Sequence, residues 1–264
     1  MPDRRLISIH PRLAVIFDVL FSFVLVWWLT SVHNYWLVAA WFAVRLIWWA
    51  GLVNFVYYPP YISRYKHFIS LFLCNIGAVA FLVFSDPSNI WISQLLTIIM
   101  SATSFWLIPT RADSLSIMEK PHRRWKFFMS LFGIIGIWLS VSALTIFQII
   151  NGQNVVWSIL LAGIIVTAIS VWEWAEYGEK INNKMIQLAG VMLLILVEIG
   201  GIVFLWPIGY FVSSFFLTWV WYITWLLFRF NLSATGIDWS KQKYFLVSNL
   251  SLMLIFLVFI VRWK

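Results

Sequence analysis

The chain has almost none of what a water-soluble domain needs. Only 11% of its 264 residues are charged and 62% are hydrophobic, against roughly 25% charged in an ordinary globular chain. That shortage excludes a soluble enzyme or binding domain. One cysteine, Cys74, excludes an intramolecular disulfide and a cysteine-based zinc site. Histidine is scarce too: His10, His33, His67 and His122 fall at the edges of apolar runs or between them. None is expected within a membrane span, and they form no His/Glu zinc spacing. Paired-aspartate signatures and glycine-rich phosphate loops are also missing. No metal or cofactor is therefore expected, and no residue is assigned as catalytic.

What fills the chain is apolar sequence long enough to cross a bilayer. Nine stretches run over 12–30, 35–57, 67–84, 88–108, 127–149, 155–175, 185–205, 208–228 and 244–261. A spanning helix needs about 20 mostly apolar residues, since the hydrocarbon core is about 30 Å thick and each residue rises about 1.5 Å. The linkers are too short to fold by themselves. The fold class predicted is all-α: a polytopic membrane helical bundle, residues 1–264 forming a single multi-spanning membrane domain. Its first partner is the lipid bilayer.

The net charge of +8 would suggest nucleic acid if the basic residues were clustered on an ordered surface. They mark span ends instead, so no nucleic-acid partner is expected. Fifteen of the 18 Lys and Arg residues fall on one side of the nine spans, in the segments holding Arg12, Arg64 and Lys66, Lys120 to Lys126, Lys180 and Lys184, and Arg229 to Lys243. The loops opposite contain none. The positive-inside rule makes the richer side cytoplasmic, with the N-terminus inside, the C-terminus outside, and a plasma (inner) membrane as the expected location. The first span reads as a retained signal anchor, because its apolar run is long and no small-x-small cleavage site follows. Trp36, Trp91, Trp157 and Trp206 mark outer span ends, and Tyr57, Tyr58, Trp106, Trp125, Trp172 and Trp239 mark inner ones, as amphipathic rings should at an interface. Thr110–Lys126 is read as a long inner loop, whose Lys120, Arg123, Arg124 and Lys126 could hold anionic lipid headgroups.

Ionisable groups inside spans carry the functional reading. A charge at the bilayer centre costs about 2.5–3.5 kcal/mol on insertion scales, so such residues face protein or water and mark sites. Asp18, Arg45 and Glu198 qualify, with Glu173 near an inner end. Depth along each helix suggests partners. Arg45 lies 12 residues from the end of its span, at 57, and Glu198 lies 14 from Lys184, about 18 and 21 Å at helical rise. Asp18 is only six residues past Arg12, about 9 Å. The expectation is an Arg45–Glu198 pair, with Trp41, Trp48 and Trp49 shielding the guanidinium, and Asp18 meeting Asn54 or Asn75.

A second feature is the fourth span, where Gln94, Thr97, Ser101 and Ser104 recur at i, i+3, i+7 and i+10 and share one face. Such a stripe either bonds neighbouring helices or wets a pathway. The fifth span repeats the spacing with Gly133, Gly136, Ser140 and Ala143, which reads as a close-packing surface. Glu173 and Glu176, with Lys180 four residues on, read as a solvated helix end.

These residues leave three functions open. One is a small-solute, ion or lipid permease-like protein, with Arg45, Glu198, Asp18, Gln94, Thr97 and Ser101 along a substrate or ion pathway. Another is a non-catalytic scaffold or accessory subunit. The third is an intramembrane lipid-modifying enzyme using Asp18, Glu173 or Glu176.

Overall fold

A computed structural model describes residues 9–28, 35–59, 62–84, 90–109, 115–233 and 236–260. The basic residues Arg4, Arg5, Arg111, Arg262 and Lys264 lie outside them. Nine α-helices follow one another: α1 (Pro11–Trp28), α2 (Tyr35–Phe55), α3 (Arg64–Phe84), α4 (Ile90–Trp106), α5 (Leu115–Ile146), α6 (Gln153–Glu176), α7 (Asn183–Phe204), α8 (Tyr210–Leu232) and α9 (Trp239–Ile255), which runs into a π-helical turn, Phe256–Ile260. No strand occurs among the described residues; one isolated bridge joins Ile9 to Val56. Eight helices are long and apolar enough to cross a membrane. The chain is a multi-span membrane helical protein.

Two helices depart from expectation. The ninth candidate, α4, has 17 residues, about 25 Å of helix. Its polar face is enclosed, with Gln94, Thr97, Ser101 and Ser104 all buried, while Trp91, Ile92, Leu95, Ile99 and Trp106 are exposed on the other face. The other departure is α5, which starts twelve residues before its apolar run and carries Pro121 inside it. The segment expected as a loop is therefore largely helical. Its basic residues split by face, with Lys120 and Arg124 exposed and Lys126 6% exposed.

The chain divides into two compact units, residues 1–136 and 137–264. In the first, α1 and α2 form an antiparallel hairpin, closed at one end by Ile9 N–H donating to Phe55 O at 2.9 Å and Tyr57 N–H to Ile9 O at 3.0 Å. The first helix packs along α4, the second and fourth both pack on α3, and Arg12 lies 5.3 Å from the Trp106 ring. Its core includes Trp41, Trp49, Leu71, Phe105, Met129 and Phe132. The contact of α3 with α5 is backbone on backbone: a Cβ on Gly77 would lie 2.5 Å from Phe132 O, and one on Gly133 2.6 Å from Leu73 O. Small residues permit that approach, as the spacing of Gly133 and Gly136 implied.

In the second unit α6 packs on α7 and α7 on α8. Buried Trp138, Trp174, Trp221 and Trp225 dominate its interior. The ninth helix meets α8 along one edge, through Trp219 Nε1–H donating to Asn249 Oδ1 at 3.1 Å and the Trp219–Phe256 ring contact.

Candidate functional site

Hairpin geometry assembles the site. Because α1 and α2 run antiparallel, residues counted from their joined ends share depth. Ser22 is eleven residues from the start of α1 and Arg45 ten from the end of α2; Asp18 is seven from the one, and Trp48 and Trp49 are seven and six from the other. The bonds follow this register. Arg45 Nη2 donates to Ser22 Oγ at 3.0 Å. Trp49 Nε1–H donates to Asp18 Oδ1 at 2.8 Å, and Trp48 Nε1–H to the same oxygen at 3.3 Å. From α4, Ser101 Oγ–H donates to Asp18 Oδ2 at 2.6 Å. Asp18, Ser22, Arg45 and Ser101 are all essentially without solvent exposure.

The two charges are held differently. Both Asp18 oxygens accept, from three donors in all, the pattern of a carboxylate fixed in place. The Arg45 guanidinium lies 5.2 Å from the Trp41 ring and 4.8 Å from the Trp49 ring, contacts worth about 2 kcal/mol when desolvated. Its charge and that of Asp18 act on each other, and Trp49 spans them, ring toward the cation and N–H toward the anion. Yet Nε and Nη1 of Arg45 are buried with no hydrogen-bond partner. An arginine offers five N–H donors in a fixed fork, and this one uses a single nitrogen on protein.

A second buried cluster lies toward the end of the unit where α3 and α5 begin. Tyr58 Oη lies 2.6 Å from His67 Nδ1, His67 Nε2 lies 2.9 Å from Ser104 Oγ, and Ser104 Oγ–H donates to Ser101 O at 2.6 Å. Since Ser104 has one proton, given to Ser101 O, His67 must donate from Nε2 and accept from Tyr58 at Nδ1. His122 Nδ1 lies 3.1 Å from Ser104 O; a carbonyl only accepts, so Nδ1 carries the proton. Its Nε2 then presents a lone pair, buried and without a partner. The His67 and His122 rings stand 5.1 Å apart, edge to face. Tyr58 lies between α2 and α3, and burial pushes its phenol well above the ordinary tyrosine range, so it remains a donor.

The sequence-derived candidates are thus partly brought together. Asp18, Arg45 and Ser101 converge in the first unit. Thr97 faces the same interior but donates to Ser93 O of its own helix at 2.8 Å, and Gln94 is 1% exposed on that face. Glu198 does not join them as expected: it sits on the exposed face of α7 in the second unit, while the described partners of Arg45 come from α1 and α2. Depth counted along a helix says how far a residue sinks, not which helix stands beside it. Asp18 likewise meets two indoles and a serine rather than Asn54 or Asn75; Asn75 Nδ2 donates to Phe42 O at 3.2 Å. Trp41 and Trp49 do flank Arg45, whereas Trp48 stacks on Phe21 at 4.1 Å.

Sequence reasoning missed Ser22, Tyr58 and the two histidines. His67 lies in the first turn of α3 and His122 lies well inside α5. The signal for His67 was its place at the head of an i, i+3, i+7 face continued by Ser70 and Cys74, all three buried. In the second unit Glu173 is 2% exposed, so it is not part of a solvated helix end. Nearby, Trp221 Nε1–H donates to Ser170 Oγ at 2.7 Å.

Compared with known proteins, the chain matches no family model, no curated protein and no solved structure.

Proposed function

We propose that the chain is a permease-like membrane protein for a small solute or ion, with the Asp18–Arg45 centre of the first unit as its substrate-facing polar site. The supporting observation is the unequal satisfaction of that pair. Both Asp18 oxygens accept from protein donors, while two nitrogens of the buried Arg45 guanidinium have no protein acceptor. A desolvated cation in that condition favours an anionic or acceptor-bearing solute, and Asp18 keeps the empty site neutral. Ser101 places α4 in the same centre, and the stripe through Thr97 and Gln94 extends polarity along that helix.

The scaffold reading draws on a different observation: the bonds of Arg45 to Ser22 and of Trp48 and Trp49 to Asp18 all join α1 to α2. One experiment separates the two. Purified protein in vesicles is tested for uptake of labelled small carboxylates, inorganic phosphate and neutral amino acids, beside Arg45→Lys and the double variant Asp18→Asn/Arg45→Met. Saturable uptake by the wild type that the folded double variant lacks supports the permease reading. Equal uptake by the double variant, or none by the wild type, makes the pair structural.

Orientation belongs to the same proposal: the N-terminus and the Lys/Arg-rich ends face the cytoplasm of a plasma (inner) membrane, and the C-terminus lies outside. Lys120 and Arg124, exposed on α5, are then the residues that meet anionic headgroups. Reporter fusions after Ala112 and Gly236 should read cytoplasmic, and fusions after Gly152 and Pro207 external; the reverse pattern inverts the assignment.

A further inference from the structure

A groove of about 320 Å³ opens at the surface between the end of α2 and the start of α3, lined by Ala50, Val53, Asn54, Arg64, Tyr65 and Phe68. It lies in the first unit but uses none of the residues of the Asp18–Arg45 centre. We propose that it is a binding site for one anionic phospholipid, with the headgroup phosphate at Arg64 and Asn54 and the upper acyl chains along Ala50, Val53 and Phe68.

Polarity in the groove is ordered along the helix axes as it is in a lipid. Asn54 is one residue from the end of α2, and Arg64 is the first residue of α3, so both sit at the mouth. Ala50 lies four residues deeper than Asn54, about 6 Å, and Phe68 one turn deeper than Arg64, so the apolar walls lie on the membrane side of the polar ones. Neighbouring rings mark the headgroup level: Tyr65 is 71% exposed and Tyr57 44% exposed, as in the aromatic belts of membrane interfaces.

Charge selects the headgroup. Arg64 stands 5.6 Å from the Tyr58 ring, and neither it nor Asn54 is given a hydrogen bond among the described residues. The guanidinium is held from one side by an aromatic face, which offers it no acceptor and leaves its N–H fork for a phosphate. A free phosphate would engage only this mouth. The apolar remainder of the groove is what favours a lipid over the ion alone.

The test uses the full chain in nanodiscs of phosphatidylcholine containing a trace of phosphatidylglycerol with a photoactivatable group near the top of one acyl chain. Crosslinks are expected on the peptides holding Ala50–Phe55 and Tyr65–Phe68, and the matching phosphatidylcholine probe should give clearly less. Arg64→Gln should cut the yield about fivefold, the size of one basic residue's attraction to an anionic surface. Lys243→Gln, at an exposed lysine elsewhere, should leave it unchanged. Ala50→Trp, which fills the groove while keeping Arg64, should also suppress the crosslink. Equal labelling by the two lipids in the wild type overturns the proposal and needs no variant. So does an unchanged yield in folded Arg64→Gln, or loss of the crosslink on adding excess inorganic phosphate, which would make the site one for small anions.

Discussion

The two units hold polar side chains differently, although each buries a carboxylate, Asp18 in one and Glu173 in the other. In residues 1–136, ionisable and imidazole groups are drawn into the interior and bonded across helices: Asp18 to α2 and α4, Arg45 to α1, His67 to Tyr58 and α4, His122 to α4. In residues 137–264 the intramembrane carboxylate Glu198 faces outward. There hydroxyls largely bond their own helix, as Thr218 does to Ser214 O at 2.8 Å and Thr224 to Val220 O at 2.9 Å. Bonds across helices there include indoles, such as Trp221 to Ser170 and Trp174 Nε1–H to Trp225 O at 3.2 Å. A neutral bond of that kind contributes about 0.6 kcal/mol on average within a membrane protein. A buried charge cluster costs several kcal/mol per ion to desolvate before its partners offset it. In the first unit opposite charges and two imidazoles are desolvated together, and the candidate site lies among them.

The largest effect that could break this comparison is at Arg45. Arg45→Met alone leaves the buried Asp18 carboxylate its three donors but no countercharge, and should destabilise the protein by about 3–5 kcal/mol. The double variant Asp18→Asn/Arg45→Met should recover most of that, while Glu198→Gln in the second unit should stay within about 0.5 kcal/mol. Unfolding in mixed detergent measures all three. Additive effects at 18 and 45 would show the two charges to be independent.

Next comes backbone packing. Gly77→Ala drives a methyl to within 2.5 Å of Phe132 O, and overpacking of this kind costs about 1–3 kcal/mol. Gly201→Ala, with nothing within 4 Å of the added Cβ, should be neutral or slightly stabilising. Equal melting temperatures for the two alanine variants would refute the backbone contact of α3 with α5.

Within the second unit, Ser170→Ala leaves the buried Trp221 indole N–H without its acceptor. A loss of about 1–3 kcal/mol is expected, and Trp221 fluorescence should shift as its hydrogen bond goes. No change in stability on Ser170→Ala would mean that the second unit is held by ring packing alone.

The smallest effect is a pH dependence at Tyr58. Its phenol is held protonated above its ordinary range by burial. The resulting contribution to stability is fully present below the unfolded phenol's pKa, about 10. It is lost as the pH rises from there through the higher folded value. Tyr58→Phe should lower stability at neutral pH by about 1 kcal/mol and flatten the fall in alkali. The same alkaline slope in both proteins would remove Tyr58 from the cluster.

Much of the site was visible in the chain as depth, and little as adjacency. Asp18 and Arg45 stood out because a charge inside an apolar run is costly wherever the run goes. Gln94, Thr97, Ser101 and Ser104 stood out because helical periodicity puts them on one face, and all four are buried. The Arg45–Glu198 pairing failed because equal depth is shared by every helix in a bundle, while the nearest hairpin neighbour had a serine at the right level. His67 escaped because, as the first residue of its apolar run, it read as a span edge, and His122 because apolar runs mark where lipid is met and not where helices start. The fifth helix begins at Leu115, in sequence too polar to be counted as spanning.

Composition and periodicity were enough to make the chain membrane-embedded and to mark which residues sink below the interface. Transfer of side chains from water to hydrocarbon is nearly additive along the chain, so composition and period suffice. Helix packing was needed to give Asp18 three donors while Arg45 keeps two nitrogens unbonded, to make two histidines share one serine, and to turn Glu198 away from its unit's interior. Those outcomes depend on which helix lies beside which, and at a crossing one hydroxyl or one glycine at the right level decides the partner.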